Sequence, residues 1–110
     1  MEIIKLSDNL TKKDVYLLSR SPKIQKMSDN VGAQISVDKY MLYSDVSGDG
    51  SKEVTILSIS NGEAVYATNS ATAIREFEEI LNIMDGEHFA VEIISGTSKN
   101  NRAYITLALV

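Results

Sequence analysis

Apolar residues between positions 71 and 84 recur at every third or fourth place, which is typical of one face of an α-helix. The residues on this predicted inner face are Ile74, Phe77, Leu81 and Met84. Ser70 precedes the segment as an N-cap, and Gly86 follows it as a C-terminal stop. We therefore predict a helix whose charged residues point away from the protein, namely Arg75, Glu76, Glu78 and Glu79.

Before this helix the apolar pattern alternates, as it does in β-strands. The segment AQISVDKYMLYSDV predicts a first strand whose inner face carries Ile35, Val37, Met41 and Tyr43. Because the segment is long for one strand, we expect a bend or bulge within it. The loop SGDGSK leads to a second strand, EVTILSIS, and the pair Asn-Gly predicts a hairpin into a third, EAVYAT.

Two further strands, HFAVEIIS and RAYITLALV, follow the helix and are joined by the turn GTSKNN. Alternation in the last strand predicts an inner face made of Ala103, Ile105, Leu107 and Leu109. Its outer face would then carry Arg102, Tyr104 and Thr106.

The first third of the chain carries helix signals instead. Thr11 and Asp14 have the spacing of a capping box, and Ser21 followed by Pro22 has the pattern of a second helix start. We therefore predict a helical segment at residues 1–31, made of two short helices or one broken helix.

Together these elements predict a mainly β protein of the α+β class, with the order β-β-β-α-β-β after the helical segment. That order is the order of the OB-fold, a small five-stranded Greek-key barrel, although other α+β arrangements share it. We predict a single domain over residues 1–110, with an OB-like barrel at residues 32–110.

Composition narrows the protein class. The 110 residues include no cysteine, so disulfides and thiolate metal sites are excluded. The N-terminus lacks the layout of a secretory signal, and no apolar run is long enough to span a membrane, so we expect a cytoplasmic protein. The net charge of −4 is unevenly distributed, since residues 1–27 sum to +3 and residues 71–87 to −4.

Catalytic and metal-binding patterns are weak. The single histidine, His88, follows the helix stop and is typical of a turn, and no nucleophile and base pair is apparent. Asp45, Ser47 and Asp49 have the spacing of a calcium loop, but Ile56 occupies the twelfth position, where that loop needs a glutamate. We expect a non-enzymatic protein without a cofactor or a metal.

The remaining chemistry is aromatic and cationic. Rings on strand surfaces stack on the bases of single-stranded nucleic acids, and cations contact the phosphates. The candidate binding residues are Lys39, Tyr43, Lys52, Tyr66, Lys99, Arg102 and Tyr104, with Tyr40 as an alternative to Tyr43. Each tyrosine taken alone is also a common scaffold residue of strands, so their joint location on the predicted barrel is what favours binding.

Two stretches, YATNSATAIREFEEI and EIISGTSKNNRAYITLALV, give the chain a family resemblance over about residues 27–110. It resembles the small single-stranded DNA-binding proteins carried by phages and other mobile elements of Gram-positive bacteria. The resemblance implies coating of single-stranded DNA during replication of the element. RNA is the alternative ligand, and the N-terminal segment is a candidate contact for a homo-oligomer.

A second hypothesis is a protein-interaction module, such as an inhibitor of a host enzyme, that uses the acidic helix face.

Overall fold

The computed structural model describes every residue from Met1 to Val110. Eight strands and two α-helices make up the fold, and a short 3-10 helix spans Met27–Asp29. The helices are α1, Lys12–Ser19, and α2, Ala71–Met84. The strands are β1 (Glu2–Leu6), β2 (Gln25–Lys26), β3 (Gln34–Ser36), β4 (Lys39–Val46), β5 (Glu53–Ser60), β6 (Val65–Thr68), β7 (Ala90–Thr97) and β8 (Ala103–Leu109). The predicted mainly β, α+β class is confirmed.

The strands form two sheets rather than one closed barrel. One sheet has five strands in the order β1-β4-β5-β6-β2, and the other has three in the order β3-β7-β8. A closed barrel would need the free edge of β6 to pair with β8. In this protein β2 occupies that edge through parallel pairing, with Gln25 opposite Tyr66 and Lys26 opposite Ala67. The two sheets are therefore not closed into the predicted five-stranded barrel.

The predicted bend in the first long strand lies at Val37 and Asp38, between β3 and β4. The backbone N–H of Val37 donates to the carbonyl of Phe89, beside the three-stranded sheet, at 3.0 Å. The next N–H, that of Asp38, donates to the carbonyl of Ser60 in the five-stranded sheet at 2.9 Å. One continuous segment thus contributes a strand to each sheet and holds the two sheets together.

Helix α2 forms where the spacing of apolar residues predicts it. The side chain of Ser70 accepts the N–H of Ala73, and the helix ends at Asp85, which has a left-handed φ of 46°. Phe77 is 1% exposed and lies between the rings of Tyr40 and Phe89, with ring centroids 5.3 and 5.9 Å away. The helix therefore buries its apolar face in the main core, which lies between the two sheets.

A second, smaller core lies on the other face of the five-stranded sheet. Leu18 of α1 packs there against Met41 and Tyr43 of β4, and all three are at most 3% exposed. Strand β4 is therefore buried on both faces, because Leu42 points into the main core. The prediction that Met41 and Tyr43 share the core of Ile35 is wrong, since α1 covers their side of the sheet.

The N-terminal segment, residues 1–31, is only partly helical. Helix α1 has the predicted capping box, in which Thr11 Oγ1 accepts the N–H of Asp14 and Asp14 accepts the N–H of Thr11. The predicted second helix start at Pro22 leads instead to β2 and the 3-10 helix. Strand β1 also replaces part of the predicted helical segment, because it pairs with β4 and so satisfies the backbone groups on that side.

Candidate nucleic-acid groove

An open groove of about 830 Å³ runs along the seam between the two sheets. Val54 and Ile56 of β5 and Ala67 of β6 line one side, and the β7–β8 hairpin lines the other. Lys26, Ser28 and Val31 contribute a third side. The seam stays open because β2 occupies the edge of β6 that β8 would otherwise pair with.

Residues 68–70, which lead from β6 into α2, also line the groove and fix one part of it. The Ser70 hydroxyl donates to the carbonyl of Ile105 on β8 at 2.5 Å and accepts the N–H of Ala73 at 3.2 Å. Strand β8 is an edge strand, so its outward carbonyl has no ladder partner without this bond. Ser70 therefore ties the start of α2 to the opposite side of the groove.

Tyr104 is the aromatic side chain in the groove lining. It lies directly opposite Gly96 in the β7–β8 pairing and is 37% exposed. A Cβ atom at position 96 would overlap Cζ and Oη of the tyrosine ring, so the ring rests on bare backbone. Gly96 does not have a positive φ, so the local requirement for glycine is space for this ring.

Three of the four cations predicted to contact phosphates lie in loops beside the groove rather than in its lining. Lys52 ends the loop before β5, while Lys99 and Arg102 lie in the turn before β8. All three are exposed, and none of them makes an ion pair. The turn before β8 is ordered by its own hydrogen bonds, including Ser98 N–H to the carbonyl of Arg102 at 2.9 Å.

Of the seven predicted binding residues, Tyr104 alone lines the groove. Three others, Tyr43, Lys39 and Tyr66, lie on strands and belong to the scaffold. Tyr43 is only 3% exposed, so neither face of its ring is open for stacking. The same burial raises the pKa of its hydroxyl. Lys39 pairs with Asp14 at 3.0 Å and fastens α1 to the sheet. Tyr66 is half-buried against the main core, because it lies opposite the fully buried Ile59.

Lys26 and Ser28 line the groove but were not predicted as binding residues. Their position follows from the parallel pairing of β2 with β6, two strands separated by about forty residues of chain. The local pattern around Pro22 predicts a helix and contains no signal for this pairing. Thr68 and Asn69, which precede the predicted cap Ser70, were not predicted as binding residues and also line the groove.

The loop that resembles a calcium site is closed by its own side chains. Asp49 accepts the hydroxyls of Ser51 and Ser47, both at 2.7 Å, and these bonds lower its pKa to about 2. Asp45 instead pairs with Arg20 at 3.0 Å. The two carboxylates are therefore engaged with different groups. His88 is exposed and shares a hydrogen bond with Ser36 at 3.0 Å.

Comparison of the chain with protein-family models, curated proteins and solved structures gives no match. Neither helix is long and apolar enough to cross a membrane.

Proposed function

We propose that this protein binds single-stranded DNA in the groove, without catalysis, by stacking bases on Tyr104 and contacting phosphates with nearby cations. The observation that carries the proposal is the Tyr104 ring, which rests on Gly96 and remains 37% exposed in the groove lining. A ring held in place loses little freedom when a base stacks on it. Stacking of this kind tolerates any sequence, because every base has a π-face.

The strand order supports an opened OB-like arrangement. Strands β4, β5 and β6, helix α2, and strands β7 and β8 follow the order β-β-β-α-β-β, and β3 with β4 corresponds to one long bent first strand. OB-folds bind oligonucleotides between the loop that joins strands 1 and 2 and the loop that joins strands 4 and 5. In this chain those loops carry Lys52 in the first case and Lys99 with Arg102 in the second.

Four cations would contact the phosphates of the bound strand, namely Lys26, Lys52, Lys99 and Arg102. The net charge of −4 does not oppose it, because the groove lining contains Lys26 and no aspartate or glutamate. Cations that replace counterions on the phosphates make binding strongly dependent on salt. Together with the resemblance, this supports a role in coating single strands during replication of a phage or another mobile element.

A titration of labelled oligo-dT at two salt concentrations tests the proposal. We expect binding at low salt that weakens at high salt, with duplex DNA of the same length binding less well. An oligo-U arm compares RNA with DNA. Absence of binding at low salt, or equal affinity for duplex, would contradict the proposal.

Two tyrosine variants then locate the site. Tyr104→Ala should weaken binding by about 1–3 kcal/mol, the usual contribution of one stacked base. Tyr16→Ala is the matched control, because Tyr16 is 52% exposed on α1 and does not line the groove. Equal affinities for the two variants would remove Tyr104 from the site.

The alternative function, a protein-interaction module, is supported by one feature of α2. Ile83 is 73% exposed on this helix, whose outer surface also carries Glu76 and Glu79. An exposed isoleucine beside carboxylates could contact a basic partner, such as the nucleic-acid site of a host enzyme. This function would be favoured by a partner protein that binds the native chain but not the Ile83→Asp variant. Neither the native chain nor the variant should then bind oligo-dT.

A further inference from the structure

Strand β1 forms an unpartnered edge of the five-stranded sheet. It pairs with β4 on one side only, and all five of its residues are exposed. Ile3, Ile4 and Leu6 are 40, 55 and 41% exposed. Unpaired backbone groups beside apolar side chains form a template for a further strand.

A bulge changes which residues of β1 share a face. Glu2 lies opposite Ser44, Lys5 lies opposite Leu42, and the register shifts between Ile3 and Lys5. Ser44 and Leu42 are two residues apart, so they lie on one face of the sheet, and Glu2 and Lys5 must lie on that face together. In a regular strand, residues three apart would point to opposite faces.

This geometry makes the sequence EIIK complementary to itself. When two copies of β1 run antiparallel about a two-fold axis between Ile3 and Ile4, Glu2 of each copy lies opposite Lys5 of the other. Ile3 of each copy then lies opposite Ile4 of the other. Such an isologous contact contains two opposite-charge pairs and a central apolar cluster.

We propose that β1 is a homodimer interface, in which the β1 strands of two copies join their sheets into one continuous antiparallel sheet. A lysine on a sheet edge normally discourages pairing, because its charge would have no partner. Here Glu2 of the second copy supplies that partner. Strand β1 therefore selects a copy of itself over an unrelated strand.

The interface leaves both grooves accessible. Strand β1 is at one end of the strand order, whereas the groove is lined by β5, β6 and the β7–β8 hairpin. A dimer would thus present two grooves to one DNA strand, and the second would bind at a high effective concentration. The dimer itself does not depend on the proposed DNA binding, so either can fail without the other.

Sedimentation equilibrium of the full chain tests the dimer, with an expected mass of twice 12.1 kDa. Lys5→Glu places two glutamates opposite each other at both symmetric positions, and Glu2→Lys places two lysines there. Each variant should weaken dimerisation on the order of tenfold or more, because like charges directly opposite each other are destabilising. Lys12→Glu is the control for net charge, because this exposed residue begins α1 and is not part of β1.

Mixing the two single variants provides the decisive measurement. Each chain is then complementary to the other, so a heterodimer should form where neither variant alone dimerises. The double variant Glu2→Lys with Lys5→Glu should dimerise like the native chain. Circular dichroism confirms that each variant is folded. A monomeric native chain, unaffected dimers of both variants, or no heterodimer in the mixture would each overturn the proposal.

Discussion

Two halves of one sheet face differ in whether a helix covers them. On the side of the five-stranded sheet opposite the main core, Met41 and Tyr43 lie beneath Leu18 of α1 and are buried. On the same face, Val54 and Ala67 line the open groove, and Ile56 lies at the border, because it packs toward Tyr43 and also lines the groove. Neighbouring strands thus support a closed, structural half and an open half that can accept a ligand.

Residue type does not decide which half is covered. Tyr43 and Tyr104 are both strand tyrosines in alternating segments, and one is 3% exposed while the other is 37% exposed. The difference comes from what lies beside each ring. Tyr43 is covered by a helix, whereas Tyr104 rests on a glycine beside an open seam.

Removing the covering side chain should produce the largest effect. Leu18→Ala should lower the free energy of unfolding by about 2–5 kcal/mol, since it leaves a cavity above Met41 and Tyr43. Urea denaturation measures this loss. Leu17→Ala, at a neighbouring residue that is 37% exposed, should cost clearly less. Equal losses would mean that α1 does not seal this half of the sheet.

Displacing the ring in the open half should affect binding instead of stability. Gly96→Ala forces the Tyr104 ring off the backbone, so oligo-dT affinity should fall by about 1–3 kcal/mol, as for one lost stacking contact. Gly48→Ala is the control, because a Cβ there meets no neighbouring atom.

The two groove substitutions should also be coupled. In the Tyr104→Ala background, Gly96→Ala should cause no further loss of affinity, because the ring it displaces is already gone. Additive losses of affinity would show that Gly96→Ala weakens binding without involving the Tyr104 ring.

Neutralising the turn cations should change the salt dependence of binding. The double variant Lys99→Gln with Arg102→Gln should reduce the slope of log affinity against log salt by about 1.4, since each phosphate contact on a single strand contributes about 0.7. Fluorescence titration at several salt concentrations measures the slope. The variant Lys12→Gln with Lys13→Gln, on α1, should keep the native slope.

The smallest expected effect is a pH dependence in the closed half. Asp14 accepts the N–H of Thr11 and pairs with Lys39, and these contacts lower its pKa below the ordinary 3.8. Its stabilising contribution is complete above pH 3.8 and is lost as the pH falls through the lower pKa of the folded state. Asp14→Asn should therefore lower Tm at pH 7, and the difference from the native chain should shrink below pH 4. A difference that is constant with pH would exclude this carboxylate as the cause.

Local patterns predicted the elements whose signals lie within a few neighbouring residues. Helix α2 has its cap, its periodic apolar face and its glycine stop within 17 residues of sequence. The β5–β6 hairpin was also predicted, although its turn uses four residues, with Asn61 N–H bonded to the carbonyl of Ala64 at 3.1 Å. The missed elements, β1 and β2, are short strands that exist because distant strands pair with them.

The candidate site divides in the same way. Among the residues predicted from the sequence, Tyr104 lines the groove, and Lys52, Lys99 and Arg102 lie in loops that local turn residues define. Lys39, Tyr43 and Tyr66 were predicted to bind because they are aromatic or cationic residues on predicted strands. Alternation identifies the two faces of a strand but does not reveal that α1 covers one of them.

The sequence by itself determined the mainly β class, the capped helix α2 and the two hairpins, because these depend on hydrogen bonds and side-chain periods between near neighbours. Only the tertiary structure decided that the sheets do not close into a barrel and that a groove lies between them. Strand β2 reaches the edge of β6 from about forty residues away, and Leu18 of α1 covers Tyr43, which lies 25 residues further along the chain. Such contacts depend on the packing of the whole chain, so no short stretch of residues encodes them.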